Sequence, residues 1–274
     1  MPFKYGRRAP KQAPALRLST FVAPSALGRK PVPTHPKTED YLAKLSGWQV
    51  LGNDVAGDCN AVTWANLRRL VTANLSTESY PSQREVWEFY QTQNPGFDPA
   101  GTADDNGPGS GQDQGMEIQT GLEYLHDTGG PDGVKAVAFA TVDHTNAAEV
   151  QAALAIFGGI WLGITVLDAN QDEFAAHKPW TDVRGSKIDG GHAILAGGYT
   201  PDVRFITWGT ETEFAPSFWN GKVQGTPLVE EAWVVIWPEH LGSRTFLEGV
   251  NLAQLEADYK AVTGRTLTLP PAEV

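Results

Sequence analysis

The sequence predicts an α+β protein with a helical first half and a second half built from short strands. Residues 58–71 place apolar side chains at helical spacing, and Ser82 followed by Glu85 is a capping box that opens a second helix. After residue 160, short β-branched or aromatic runs alternate with Gly, Pro and Asp, which is typical of strands joined by turns. Helices first and strands afterwards favour two halves that face each other.

Residues 1–38 are predicted to form an extended, basic, proline-rich arm. They hold seven prolines, eight Lys or Arg and no acidic residue, and prolines remove backbone donors and break helices. A weakly apolar stretch from Leu16 to Leu27 leads us to expect that the arm lies across the acidic body or docks on an assembly partner. A disordered, solubilising tail is the alternative. Either way, we expect the fold to survive removal of the arm.

Residues 39–274 are predicted to form one domain with two lobes. Helices are expected at 58–71, from 82 to about 94 and at 116–127 in a helical lobe of about 39–135, with a solvated loop at 101–115. Strands are expected at 160–167, 192–199, 203–208 and 232–237 in a β lobe of about 136–250, which also holds a helix capped by Asn146. A C-terminal helix is expected at about 251–264.

Composition excludes several classes of function. Cys59 is the only cysteine, which excludes internal disulfides and a multi-cysteine zinc site, and no metal or cofactor is expected. There is no run of ~20 apolar residues that could span a membrane and no apolar signal core, so we expect a cytoplasmic or virion-associated protein without a secretion signal. The acidic body repels phosphates, so nucleic acid is not expected as the main partner.

The lone thiol lies where reactivity should rise. Asp58 is a natural N-cap, which places Cys59 in the first turn of the predicted helix. Exposed amides and the helix dipole favour the thiolate there. A buried structural cysteine is the alternative interpretation of Cys59 taken alone.

Three motifs connect this thiol to a histidine far along the chain. The sequence reads Gly-Asn-Asp-Val-Ala-Gly-Asp-Cys at 52–59, Gly-His-Ala-Ile-Leu-Ala-Gly-Gly-Tyr at 191–199 and Thr-Trp-Gly at 207–209. Together they resemble the papain-like cysteine peptidases, in which a Cys opens the central helix of one lobe and a His opens a strand of the β lobe. The resemblance spans roughly 48–237 and implies a papain-like two-lobed fold.

The resemblance also implies roles for individual residues. Cys59 would be the nucleophile, His192 the base, and Asn53 an oxyanion donor in the place of the family's Gln, on a shorter stem. A turn residue at Asn53 and a structural histidine at 192 are the alternatives. The other five histidines are expected to be structural.

The third catalytic position departs from the family pattern. The family has Asn two residues before the Trp-Gly pair, whereas this chain has Ile206, which offers no hydrogen bond. Thr207 is the nearest side chain able to hydrogen-bond, so either Thr207 or a main-chain carbonyl is expected to orient His192. Trp208 would shield the histidine, although core packing is an equal reason for it.

The sequence therefore predicts a cysteine hydrolase, a peptidase or amidase acting through an acyl-enzyme, with Cys59 at the accessible floor of a cleft. The family's long inhibitory propeptide is expected to be absent from the 58 residues before Cys59, which favours a bacteriophage or bacterial branch. The alternative is an inactive papain-fold binding or structural protein, such as a virion component.

Overall fold

The computed structural model describes residues 3–22, 38–199, 202–267 and 269. Its helices are α1 (Leu18–Phe21), α2 (Cys59–Leu75), α3 (Gln83–Gln91), α4 (Ile118–Asp127), α5 (Ala147–Phe157), α6 (Asp168–Ala175), α7 (Pro216–Trp219), α8 (Arg244–Gly249) and α9 (Leu252–Thr263), with 3-10 turns at Leu42–Lys44 and Pro238–Gly242. Its strands are β1 (Leu16–Arg17), β2 (Glu39–Asp40), β3 (Ala138–Thr141), β4 (Ile160–Leu167), β5 (Ile188–Tyr199), β6 (Val203–Thr207), β7 (Thr210–Glu213), β8 (Lys222–Val223), β9 (Thr226–Pro227) and β10 (Val229–Ile236). The α+β prediction is confirmed, with helices α2–α4 preceding most of the sheet.

One large sheet forms the centre of the second half. Its strand order is β1-β3-β10-β4-β5-β6-β7, and β2 pairs with β5. The central strands are antiparallel, and every residue of β4 is buried. Such a strand, covered on both faces, reads as a nearly continuous apolar run rather than as an alternation.

The helix that begins at Cys59 lies between the two halves. Every residue of α2 from Cys59 to Thr72 is buried, and the helix packs on β5 as well as on α3. Polar side chains at these buried positions are paired, as in the ion pairs of Arg68 with Asp132 and Glu239. Burial on all sides fixes α2, and with it the position of its first residue.

Residues 3–22 do not form a separate arm. Leu16–Arg17 pairs with β3, and Leu18 and Phe21 of α1 are fully buried in the core. The expectation that removing residues 1–38 spares the fold is therefore wrong, because it would open that core. The rest of the predicted arm, residues 23–37, lies outside the described residues.

No helix among the described residues is long and apolar enough to cross a membrane. The segment 101–115 contains neither helix nor strand, as predicted for a loop.

Candidate active site

The turn before α2 holds Cys59 at the helix N-terminus. Gly52 has a φ of +105°, and a Cβ there would meet the Trp87 Nε1 at 2.7 Å, so only glycine fits. Asp58 does not act as the expected side-chain cap. Its carboxyl is fully buried, and burial, reinforced by the nearby charge of Asp113, raises its pKa well above the usual range.

The Cys59 thiol is covered in this structure. Its residue is 1% exposed, and backbone hydrogen bonds from Ala193 and Gly6 reach the sulfur. Burial outweighs these bonds and raises the pKa of the thiol to about 12. The expectation of an accessible thiol at the floor of a cleft is therefore wrong for this state, which holds the protonated thiol.

His192 lies on β5 beside Ala193 and is held by the next hairpin. Its Nε2 and the Thr207 Oγ1 are 2.7 Å apart, within hydrogen-bonding distance. Its Nδ1 is buried and has no hydrogen-bond partner among the described residues. Burial, together with the charge of Arg7, lowers the pKa of His192 to about 3, so the imidazole is neutral.

A tight hairpin brings Thr207 and Trp208 to the histidine. β6 and β7 are joined by Trp208 and Gly209, which have φ values of +45° and +72°. Two successive positive φ values are typical of the two-residue turns that match strand twist. A tryptophan in this conformation is strained, and its indole stacks on His192 with ring centroids 4.7 Å apart.

Asn53 is turned toward other partners. Its Nδ2 donates to the carbonyl oxygens of Ala56 at 3.1 Å and Lys4 at 3.4 Å. Asn53, the predicted oxyanion donor, lies in the turn that precedes Cys59, but its side-chain amide already donates to these two carbonyls.

The N-terminal residues 3–8, which we call the strap, cross the site. The Met116 N–H donates to the Gly6 carbonyl at 2.7 Å, and the Arg7 N–H donates to the Gly191 carbonyl at 3.0 Å. Phe3 stacks on Trp208 and Tyr5 packs edge-on against His192. The strap therefore excludes water from both candidate catalytic side chains. The N-terminal segment was expected to lie across the acidic body, but not to cover these two residues.

Glycine allows the strap to approach so closely. A Cβ at Gly6 would overlap the carbonyl group of Gly57, two residues before the cysteine. Asp113 in turn accepts a hydrogen bond from the Gly57 N–H at 2.9 Å and fixes this turn. Of the features that hold the strap in place, only the positive charge of residues 1–38 is visible in the sequence.

Arg7 anchors the strap on the sheet. Its guanidinium forms ion pairs with Glu230 and Glu231 of β10, and its side chain is only 3% exposed. These two ion pairs were not predicted from the sequence, although a basic segment and an acidic body are both visible in the composition.

No protein-family model matches the sequence, and no curated protein matches it. Solved structures do. Xylellain, a cysteine protease from Xylella fastidiosa, superposes with a TM-score of 0.60 at 16% identity, covering 86% of this chain and 96% of that chain. This chain has the papain-like fold. Procathepsin B S9 from Trypanosoma congolense superposes with a TM-score of 0.53 at 11% identity, over 85% of this chain and 86% of that chain.

The papain-like fold confirms the two-lobed architecture that the motifs implied. Neither of these structures comes from a bacteriophage, so the narrower branch stays a prediction. Within the described residues, no group of three or more His, Cys, Asp or Glu is arranged to hold a metal ion.

Proposed function

We propose that the protein is a cysteine peptidase in which Cys59 is the nucleophile and His192 the base. The observation that supports this most is the set of contacts that His192 makes. Thr207 holds Nε2, Trp208 covers the ring, and Nδ1 is left unpaired beside the strand residue whose backbone bonds the thiol. A merely structural buried histidine has both ring nitrogens satisfied, as His240 has through Trp237 and Phe157.

Catalysis would begin when the strap leaves the site. The Thr207 Oγ1 accepts from Nε2–H, and Nδ1 takes the proton of Cys59. The thiolate attacks the carbonyl carbon of the scissile amide, and the Cys59 N–H at the start of α2 stabilises the oxyanion. Asn53 adds a second donor once its amide is released from Ala56 and Lys4.

The intermediate then collapses to a thioester. The His192 imidazolium gives its proton to the leaving amine, and the C–N bond breaks. Water, deprotonated by the same Nδ1, attacks the thioester carbonyl, and the acid product leaves as the thiol recovers its proton. The cycle balances in protons and needs no metal or cofactor.

In the covered state, the pKa values of Cys59 and His192 oppose the proton transfer that catalysis needs. The thiol has a pKa near 12 and the imidazole a pKa near 3, so proton transfer from Sγ to Nδ1 is strongly uphill. Both shifts have burial as their largest cause. Admitting water removes that cause and lets the ion pair form.

Cys59→Ala tests the assignment of the nucleophile. We expect hydrolysis of a fluorogenic casein-derived peptide to fall at least ~10⁴-fold, because no other group replaces the thiol. The assay uses a variant with an opened strap, such as Gly6→Val, as the parent. Purified cell walls serve as a second substrate that separates a peptidase from a wall-cleaving amidase. Turnover that survives Cys59→Ala would exclude the proposal.

Thr207→Val tests the orienting hydrogen bond. The two side chains have the same shape, and losing a bond of about 1 kcal/mol in the transition state corresponds to a fall in kcat of about fivefold. KM should change little, and Thr207→Ser should restore kcat because it keeps the hydroxyl. An unchanged kcat in Thr207→Val would remove Thr207 from the mechanism.

A further inference from the structure

Two consecutive carboxylates lie beside the strap, one partly buried and the other buried. The side chains of Glu230 and Glu231 on β10 are 19% and 8% exposed. Neighbouring residues of a regular strand point to opposite faces of a sheet. The pairing of β10 with β4 shifts register between Val229 and Glu231, and this bulge lets both carboxylates reach one guanidinium.

The groups around Glu230 and Glu231 suit a planar cation such as a guanidinium. The Thr165 Oγ1 donates to Glu230 and the Trp233 Nε1 to Glu231, so each carboxylate is fixed by a neutral donor. Gly163 forms the floor, where a Cβ would stand 2.8 Å from the Arg7 Cδ. Burial raises the pKa of Glu231, and Arg7 opposes that rise. The carboxylates therefore favour an occupant that brings a positive charge.

The present occupant, Arg7, shows where such a side chain enters. Arg7 follows Gly6, whose backbone bonds the thiol, and its own N–H bonds the carbonyl of Gly191, the residue before His192. A peptide lying in the same place would use the same backbone groups. Its side chain in the acidic pocket would then belong to a residue adjacent to the one at the thiol.

We infer that Glu230 and Glu231 form a subsite for an arginine of the substrate, which Arg7 of the strap fills in the covered state. This inference rests on the proposed function. Removing the strap leaves the buried carboxylate of Glu231 and the partly buried carboxylate of Glu230 without a counter-ion, which is unfavourable. An arginine-bearing peptide restores the pair with bidentate geometry, whereas a neutral side chain does not and a lysine lacks the fork.

The test uses the full chain with Arg7→Ala, which empties the pocket, and Arg17→Ala as the matched control, because Arg17 is exposed on β1. N-acetyl-arginine amide and its neutral isostere N-acetyl-citrulline amide are titrated calorimetrically. We expect the arginine compound to bind Arg7→Ala at least about tenfold more tightly than the citrulline compound, as for one charge-assisted pair. The preference should vanish in the triple variant with Glu230→Gln and Glu231→Gln.

A second arm measures turnover of fluorogenic peptides that carry arginine or citrulline at each of the three positions before the cleaved bond. One position should favour arginine at least about tenfold in kcat/KM. Arginine-selective binding without hydrolysis of any peptide would contradict the proposed function and leave the subsite standing. Hydrolysis without arginine preference, or a preference that survives the two glutamine substitutions, would overturn the subsite. If Arg7→Ala does not fold, Gly6→Val replaces it in both arms.

Discussion

Gly6→Val is expected to raise the rate of Cys59 alkylation by at least about 100-fold. The new side chain would overlap the carbonyl group of Gly57, so the strap must lift from the thiol. Lifting residues 6–8 breaks three backbone bonds, those of Gly6 and Arg8 with Met116 and of Arg7 with Gly191. At about 1 kcal/mol each, their loss amounts to about 3 kcal/mol, or roughly 100-fold in the population of the open state.

The measurement is the rate of iodoacetamide addition, followed by intact mass at neutral pH. Cys59 is the only cysteine, so every adduct on a thiol reports this site. Gly111→Val is the matched control, because a Cβ at Gly111 meets nothing within 4 Å. Equal alkylation rates for Gly6→Val and the unsubstituted protein would show that the strap does not guard the thiol.

The second large effect is a fall in the pKa of Cys59 when the strap opens. In the covered protein burial raises this pKa to about 12, so the thiol stays protonated throughout the neutral range and ionises only at strongly alkaline pH. Once water enters, the amides at the start of α2 and the His192 imidazolium favour the thiolate. We expect the pKa in Gly6→Val to lie below the ordinary thiol value of about 8.5.

Thiolate absorbance at 240 nm during a pH titration measures this change directly. The double variant Gly6→Val with His192→Ala serves as the control, since it opens the site without the imidazole. Its thiol should titrate near or above about 8.5. The same titration curve for the unsubstituted protein and Gly6→Val would contradict the electrostatic account of the covered state.

The two candidate catalytic side chains were assigned from three short motifs that resemble those of the papain-like peptidases. Cys59 begins a helix whose apolar spacing is visible over 58–71, and His192 opens a strand run that ends at Tyr199. Thr207 was predicted as the only hydrogen-bonding side chain next to the position where the family has Asn, and the structure places it against His192. These predictions depend only on residues at the start of one helix and within one hairpin.

The parts that sequence reasoning missed depend on contacts between distant segments. Arg7 and the acidic pair are more than 220 residues apart, and a bulge in β10 decides that both carboxylates meet the guanidinium. The proline content of residues 1–38, taken as a whole, did not reveal that residues 3–8 form a strap or that Leu16, Leu18, Phe21 and Val22 are buried in the core. The predicted cap at Asp58 is wrong, because its fully buried carboxyl makes no side-chain hydrogen bond to the helix amides.

The most direct test of the account is to trap the covalent intermediate. The Gly6→Val protein is mixed with a slowly hydrolysed peptide ester, quenched in acid during turnover, digested and sequenced by mass spectrometry. The account predicts an acyl group of the peptide's mass on the fragment that contains Cys59, in an amount that falls when His192 is replaced by alanine. Steady turnover of the ester with no acyl group on Cys59, and at the same rate in Cys59→Ala, would contradict it.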